Sequence, residues 1–155
     1  GKARVARSGT DVTFVGLSYM TLEALRAAEY LAADGISAEV VDLRSVRPLD
    51  RETVLASVRK TGRLVMADGA WAAAGISAEV LALVCENAFD ALKAAPVRLT
   101  LPDCPIPSTP ALADACYPRA NDIAAAAARL LGKSFAPRPV SKPLDVPDAS
   151  FTGPF

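Results

Sequence analysis

Short apolar segments alternate along this chain with longer segments of helical periodicity, and this alternation restricts the fold more than any other feature. The apolar segments are short enough to be strands: Val12–Gly16, Ser37–Leu43, Arg63–Ala67 and Val97–Leu101. The periodic segments between and after them are predicted helices: Leu22–Ala33, Asp50–Lys60, Gly75–Leu92 and Asn121–Leu131. Strands and helices that alternate at intervals of about 10–15 residues are typical of βαβ units, in which parallel strands form one sheet.

The first residues add a fifth strand. Ala3–Arg7 has a strand pattern, and Ser8–Asp11 is predicted to turn it back onto Val12–Gly16 as a hairpin. The sequence therefore predicts a three-layer α/β fold: a mostly parallel five-stranded sheet with one antiparallel strand and helices on both faces. Asp50 and Asn121 are predicted helix caps, and Gly62 is a predicted helix stop.

Two proline-rich segments depart from the alternation. Pro102–Pro118 is predicted to be a long, stiff loop at the carboxyl end of a strand. The domain is predicted to cover residues 1–131, and residues 132–155 are predicted to form a Pro-rich extended tail. Three phenylalanines are predicted to anchor this tail in surface pockets of the same chain or a neighbour: Phe135, Phe151 and Phe155.

Composition and missing motifs exclude several classes of function. The chain has no histidine, the commonest general base, and no glycine-rich phosphate-binding motif. Its three cysteines lack metal-ligand spacing, which favours free thiols in a reducing compartment. Seventeen basic residues balance 17 acidic ones, so neither nucleic acid nor an anionic membrane is an expected partner. We therefore predict no catalytic, cofactor-binding or metal-binding residue in this chain.

The start of the chain carries no secretory signal. It opens Gly-Lys-Ala-Arg, without methionine and without an apolar signal region, and no apolar run approaches the ~20 residues of a membrane span. These features predict a fragment or processed piece of a protein. The expected location is the cytoplasm, with an organelle as the alternative.

Charged and aromatic residues follow two of the predicted strands. Ligands of open parallel sheets bind beyond the carboxyl ends of the strands, where Asp42, Arg44 and Arg47 follow one strand and Asp68 and Trp71 follow another. These side chains predict either a docking surface or modest pocket, or loop residues that only satisfy helix termini.

Each of these residues also has a structural interpretation. Arg44 and Arg47 either pair with Asp42 and Asp50 in a network that shapes the turn, or contact an anion or a partner. Trp71 either anchors an interface or folds its ring back over the sheet edge. The sequence leaves these alternatives open.

Two segments carry a resemblance to a known family. Asp42–Asp50 reads Asp-Leu-Arg-Ser-Val-Arg-Pro-Leu-Asp, and Asp68–Val80 joins Asp-Gly-Ala-Trp to Gly-Ile-Ser-Ala-Glu-Val. Over about residues 1–131 the chain resembles the C-terminal domain of the transketolase-like, thiamine-diphosphate-dependent enzymes. It is most similar to the beta subunit of the 2-oxo acid (pyruvate-type) dehydrogenase decarboxylating component. Asp68 departs from the family pattern, which commonly has glutamate there, and Ser77 stands where glycine is frequent.

The resemblance implies an assembly domain within a larger enzyme. The parent enzyme would decarboxylate a 2-oxo acid and transfer the acyl group to lipoamide, with thiamine diphosphate and Mg²⁺ bound by its other domains. The implied partners are those domains, a homodimer or alpha-beta heterotetramer, and an acyltransferase core. The resemblance makes Trp71, Glu79, Asp68 and the Asp42–Arg47 edge candidates for the interface, although Glu79 also suits the first turn of a helix.

A second class of function fits the same residues. A stand-alone α/β binding module would use this sheet edge to bind a small anion or a protein partner. The two hypotheses differ in whether the edge binds the rest of a parent enzyme or an independent ligand.

Overall fold

The computed structural model describes residues 1–139, which form five strands and five α-helices. The strands are β1 (Arg4–Arg7), β2 (Val12–Gly16), β3 (Ala38–Asp42), β4 (Leu64–Trp71) and β5 (Val97–Leu101). The helices are α1 (Tyr19–Ala33), α2 (Arg51–Thr61), α3 (Ile76–Ala88), α4 (Pro110–Ala113) and α5 (Ala120–Leu130), with one 3₁₀ turn at Phe89–Ala91. None of the helices in this part of the chain is long and apolar enough to cross a membrane.

The five strands form one sheet in the order β1-β3-β2-β4-β5. Strands β2 to β5 run parallel to one another, and β1 runs antiparallel to β3. Helices α1 and α5 cover one face of the sheet, and α2 and α3 cover the other. The predicted three-layer α/β fold with one antiparallel strand is therefore confirmed.

Side chains that alternate along the central strands supply both cores. In β2, Phe14 faces α1 and α5 while the next residue, Val15, faces α2 and α3. Val65 and Met66 divide in the same way in β4. Because successive side chains of a strand point to opposite faces, a strand covered on both faces is mostly apolar, although β2 and β3 also bury Thr13 and Glu39.

The predicted hairpin of β1 with β2 is wrong, because β1 pairs with β3 instead. Parallel strands occupy both edges of β2, with β3 on one side and β4 on the other. The turn before β2 therefore passes close to β3, and the amides of Thr10 and Asp11 both donate to the carbonyl of Ser37. A Cβ on Gly9 would lie 2.2 Å from the backbone of β3, so this crossing requires glycine.

The predicted ends of α2 are confirmed. The Asp50 carboxylate accepts hydrogen bonds from the amide of Thr53 at 3.2 Å and from its hydroxyl at 2.9 Å. A third bond comes from the amide of Ala3 at 3.0 Å, so this cap also ties the first residues to α2. Gly62 ends the helix at φ 73°, in the left-handed region that glycine adopts without strain.

The Asp50 cap makes stability sensitive to acid. Hydrogen bonds from Thr53 and Ala3, together with the charge of Lys2, hold the pKa of Asp50 below its ordinary value. The contribution of the carboxylate is thus present above about pH 4 and is lost as the pH falls through the lowered pKa. We expect Asp50→Ala to lower the free energy of unfolding by about 1–2 kcal/mol at neutral pH, measured by urea unfolding.

Asp50→Asn is the matched variant, because an amide still caps but does not ionise. We expect near-normal stability at neutral pH and a flatter decline in acid than for the wild type. If the free energies of unfolding of Asp50→Asn and the wild type fell equally steeply in acid, this role of the Asp50 charge would be contradicted.

The predicted Asn121 cap is wrong. Helix α5 begins at Ala120, and Asp122 closes its first turn by accepting from the amide of Arg119 at 2.9 Å. The Asn121 side chain instead bonds both the carbonyl and the amide of Arg138, each at 2.9 Å.

These bonds hold the first part of the predicted tail against the domain. Phe135 packs beside the core between the sheet and α1 and α5, and the guanidinium of Arg138 pairs with Asp34. Phe151 and Phe155, the other predicted anchors, lie outside the described residues. The division at residues 131 and 132 stays a prediction.

Candidate functional site

A cleft with a volume of about 820 Å³ lies at the carboxyl ends of β2 and β4. In the sheet order, β3 lies on one side of β2 and β4 on the other. The chain therefore leaves β2 and β4 toward opposite faces of the sheet, and open α/β sheets bind ligands at this kind of crevice. The lining is mainly apolar and includes Leu17, Tyr19, Met20, Ile76 and Tyr117.

Asp68 is buried at the edge of this cleft and caps a helix. One carboxylate oxygen accepts from the amide of Ala70 at 3.1 Å, and the other accepts from the amide of Ser77 at 2.9 Å, in the first turn of α3. Gly75, the residue before α3, has no side chain to provide a cap. In the structure Asp68 therefore organises the β4–α3 connection, and its role at an interface stays a prediction.

Gly75 is required at its position by close packing. A Cβ there would lie 2.4 Å from the carbonyl oxygen of Trp71 and 2.8 Å from the Asp68 carboxylate. The backbone of Trp71, the Asp68 cap and the start of α3 thus form one compact unit, which fixes the direction in which β4 ends.

Trp71 lies at the end of β4 and remains 49% exposed. Its indole N–H donates to the carbonyl of Cys104 at 3.3 Å, so the ring contacts the proline-rich loop that follows β5. Trp71 thus combines parts of both sequence interpretations: the ring is held at the sheet edge, and half of it is open for contact.

Glu79 and the Asp42–Arg47 edge lie where the sequence places them. Glu79 is exposed in the first turn of α3, where the helix dipole favours a carboxylate. Asp42 accepts from the Thr21 hydroxyl and from the amide of Arg44, both at 3.2 Å. Arg44 and Arg47 are exposed, and within residues 1–139 neither takes part in an ion pair. The ion-pair network considered for this turn is therefore not formed there.

Sequence reasoning missed a cluster around Glu23 on α1. Its buried carboxylate pairs with Arg26 at 2.7 Å and Arg119 at 3.5 Å, and it accepts from the amide of Ala120 at 2.8 Å. Arg119 also donates to the hydroxyl of Tyr19, which lines the cleft. Partial burial by itself would lower the pKa of the Arg26 guanidinium, but the Glu23 carboxylate and the Tyr19 side chain together raise it above its ordinary value.

A sequence signal for this cluster existed. Glu23 lies three residues after Met20 and four before Ala27, on the stripe of α1 that faces the core. A carboxylate at such a position is rarely buried without a partner, but the partner, Arg119, is 96 positions away in the sequence.

The cleft has the chemistry of an apolar docking site. It is lined by one carboxylate, Asp68, and no cationic side chain, which does not suit a diphosphate. Within residues 1–139 no three potential metal ligands of the His, Cys, Asp and Glu types lie together. The residues present thus do not fit thiamine diphosphate with its Mg²⁺. They fit apolar side chains of a ligand or partner.

A comparison with family models matches residues 1–123 to a model described as "Transketolase, C-terminal domain". The mitochondrial pyruvate dehydrogenase E1 component subunit beta of Dictyostelium discoideum is 45% identical over 130 residues, 84% of this chain and 36% of that protein. The corresponding subunit of Bacillus subtilis is 48% identical over 107 residues, 69% of this chain and 33% of that protein.

Two further comparisons extend this similarity. The beta subunit of an acetoin:2,6-dichlorophenolindophenol oxidoreductase from Cupriavidus necator is 45% identical over 84% of this chain and 39% of that protein. A solved structure described as "Split gene transketolase, inactive beta4 tetramer" aligns with a TM-score of 0.74 and 36% identity, over 84% of this chain and 42% of that one. The chain thus spans 33–39% of the length of the three curated relatives.

Proposed function

Because the chain belongs to the transketolase C-terminal domain family, we propose that it is the assembly domain of a thiamine-diphosphate-dependent 2-oxo acid dehydrogenase. The parent enzyme would decarboxylate a 2-oxo acid and transfer the acyl group to lipoamide. The identity to pyruvate dehydrogenase and acetoin oxidoreductase beta subunits supports this branch of the family. The contribution of this domain is to hold the other parts of the enzyme together.

The observation that carries this proposal is the concentration of exposed apolar side chains around the cleft. Trp71 and Tyr19 are 49% and 39% exposed at the carboxyl ends of β4 and β2, and Leu22 follows on α1 at 50%. Exposed aromatic residues beside an apolar cleft are typical of protein interfaces. The occupant we propose is another part of the parent enzyme.

Thiamine diphosphate and Mg²⁺ are assigned to the parent enzyme outside this chain. Bound there, the cofactor would supply the chemistry of 2-oxo acid decarboxylation. The residues of this chain would act indirectly, by keeping the cofactor-binding parts in position. For the assembly we propose a homodimer or an alpha-beta heterotetramer, with an acyltransferase core as a further partner; the solved relative is itself described as a beta4 tetramer.

A chimera tests this function directly. This chain replaces the matching third of the Bacillus subtilis pyruvate dehydrogenase beta subunit, which is coexpressed with its alpha subunit. We expect the chimera to sediment at the mass of the natural assembly and to support pyruvate-dependent acyl transfer. A chimera that folds but stays unassembled would contradict the proposal.

Trp71→Ala is expected to weaken the assembly of this chimera by about 30-fold or more in sedimentation equilibrium. The reason is that buried tryptophans contribute about 2 kcal/mol or more at interfaces. Phe89→Ala is the matched control, because Phe89 is 70% exposed but follows α3 at its far end. If both variants assembled equally well, Trp71 would not be part of the interface.

A second candidate function is a stand-alone binding module, favoured by the position of the cleft at the switch point of the sheet. The lining disfavours the small anion considered from sequence, because it contains Asp68 and no cation. A protein partner is the remaining form of this hypothesis. Two results together would favour this second function. The chimera would fail to assemble, and the isolated chain would bind a protein partner in a way that Trp71→Ala abolishes.

For the compartment, we propose a reducing one, the cytoplasm or an organelle such as the mitochondrion named for the Dictyostelium relative. Cys85, Cys104 and Cys116 are free thiols in the structure, and Cys85 and Cys104 are exposed. Thiol labelling of the protein in intact cells tests this, since blocked cysteines would indicate an oxidising compartment.

A further inference from the structure

Five exposed cations form a patch where β1 and β3 meet the turn before α2. We name it the basic patch, and its members are Lys2, Arg4, Arg44, Arg47 and Arg51. The fold brings together residues that are about 40 positions apart. Arg4 is paired with Asp42 in the sheet, and the amide of Ala3 bonds Asp50 at the end of the same turn. The charge of Lys2 also acts on Asp50.

Two carboxylates of the turn beside the basic patch accept hydrogen bonds from other groups. Asp42 accepts from Thr21 and from the backbone of Arg44, and Asp50 caps α2. Glu52 is the one exposed carboxylate within residues 42–52.

The five ion pairs found in residues 1–139 use Arg26, Lys60, Arg119 and Arg138, and none uses a cation of the patch. The five cations of the patch face three carboxylates, Asp42, Asp50 and Glu52, so a chain with zero net charge presents a local excess of positive charge there.

The backbone at Arg44 adopts a conformation that is uncommon for arginine. Its φ is 57°, in the left-handed region that is uncommon for residues other than glycine, asparagine and aspartate. Asp42 holds this conformation through its bond to the Arg44 amide. Glycine would adopt the same turn at lower cost. An arginine at such a position points to a role for its charge.

We propose that the basic patch binds a carboxylate-rich segment of a partner protein, at one margin of the assembly surface. The inference rests on the proposed function and specifies the chemistry of the partner. Guanidinium groups pair with carboxylates in bidentate geometry, which suits the three arginines of the turn and of the start of α2. A two-fold contact between copies of this chain would place like charges opposite each other, which disfavours a second copy. The balanced total charge disfavours nucleic acid.

Binding of fluorescein-labelled poly-L-glutamate to the full 155-residue chain tests the proposal, by fluorescence anisotropy at low ionic strength. We expect Arg44→Gln/Arg47→Gln to weaken binding about tenfold and to flatten its salt dependence. Arg129→Gln/Lys133→Gln removes the same charge at the far end of α5 and is expected to bind within about twofold of the wild type. Arg47→Gln/Arg51→Gln repeats the test without altering the strained residue, should the first variant fail to fold.

Three results would overturn the proposal. Equal weakening in the patch and control variants would show that only net charge matters. Tighter binding of oligothymidylate than of poly-L-glutamate would indicate nucleic acid. Self-association at low ionic strength that the patch variant abolishes would indicate a second copy of the chain.

The test is separate from that of the proposed function. If Trp71→Ala abolished chimera assembly while the patch variants bound poly-L-glutamate normally, the assembly function would be supported and the acidic partner would be contradicted. If Trp71→Ala assembled normally while poly-L-glutamate binding depended on the patch, the acidic partner would be supported and the assembly function would be contradicted.

Discussion

Replacing Glu23 with alanine is expected to lower the free energy of unfolding by about 3 kcal/mol, because it removes a buried carboxylate that two partly buried guanidinium groups and a backbone amide share. Arg119 would lose an ion pair, and the amide of Ala120 would lose its acceptor at the start of α5. Arg26 is 39% exposed and regains water, which keeps the loss at the lower end of the range for broken buried pairs. Urea unfolding of the full chain measures the loss.

Two variants define the cause of this loss. Glu29→Ala removes an exposed carboxylate from the same helix and is expected to change stability by less than about 0.5 kcal/mol. Glu23→Gln keeps acceptor capacity without the charge, so an intermediate loss is expected if the ion pairs matter. A Glu23→Ala protein as stable as Glu29→Ala would refute the role of this cluster.

Replacing Gly75 with alanine is expected to cost about 3 kcal/mol, because the added methyl group has no space. It would lie 2.4 Å from the Trp71 carbonyl and 2.8 Å from the Asp68 carboxylate, so the cap of α3 and the end of β4 must move apart. Trp71 is the single tryptophan of the chain, so its fluorescence reports this movement directly. We expect an altered emission maximum in the folded variant as well as lower stability.

Gly69→Ala, in β4 just before the same connection, is the matched control. The nearest atom to its added Cβ is the Cγ of Met20 at 3.9 Å, an ordinary contact. Stability within about 0.5 kcal/mol of the wild type and unchanged tryptophan emission are expected. If Gly75→Ala were as stable as Gly69→Ala and left the tryptophan emission equally unchanged, the loop would adjust freely and the close packing at Gly75 would be unimportant.

The sequence patterns predicted the local elements well because their causes are local. The apolar runs became strands, since a strand covered on both faces needs mostly apolar residues. Asp50 and Gly62 end α2 as expected, because a cap depends on atoms only a few residues away. The carboxyl edge was also predictable as the location of the cleft, since parallel strands bring their ends to one side of the sheet. The resemblance added the family, which the match over residues 1–123 confirms.

The roles of individual site residues depended on neighbours that are distant in the sequence. The Asp68 carboxylate caps α3 because Gly75 cannot, and its role at the interface stays a prediction. Asn121 had the chemistry of a cap and instead binds the backbone of Arg138. A polar side chain bonds whichever group the fold presents to it, and local sequence does not contain that information.

By itself, the sequence determined which segments are strands and helices, where the main turns lie and to which family the chain belongs, because periodicity, capping and motif spacing act over short distances. The tertiary structure decided the order of the strands, which moved β1 from β2 to β3 since parallel partners already occupied both edges of β2. It also joined Glu23 to Arg119 and collected the cations of the basic patch. These arrangements arise from packing the whole sheet between its helices, and that competition among long-range contacts cannot be read from any one segment.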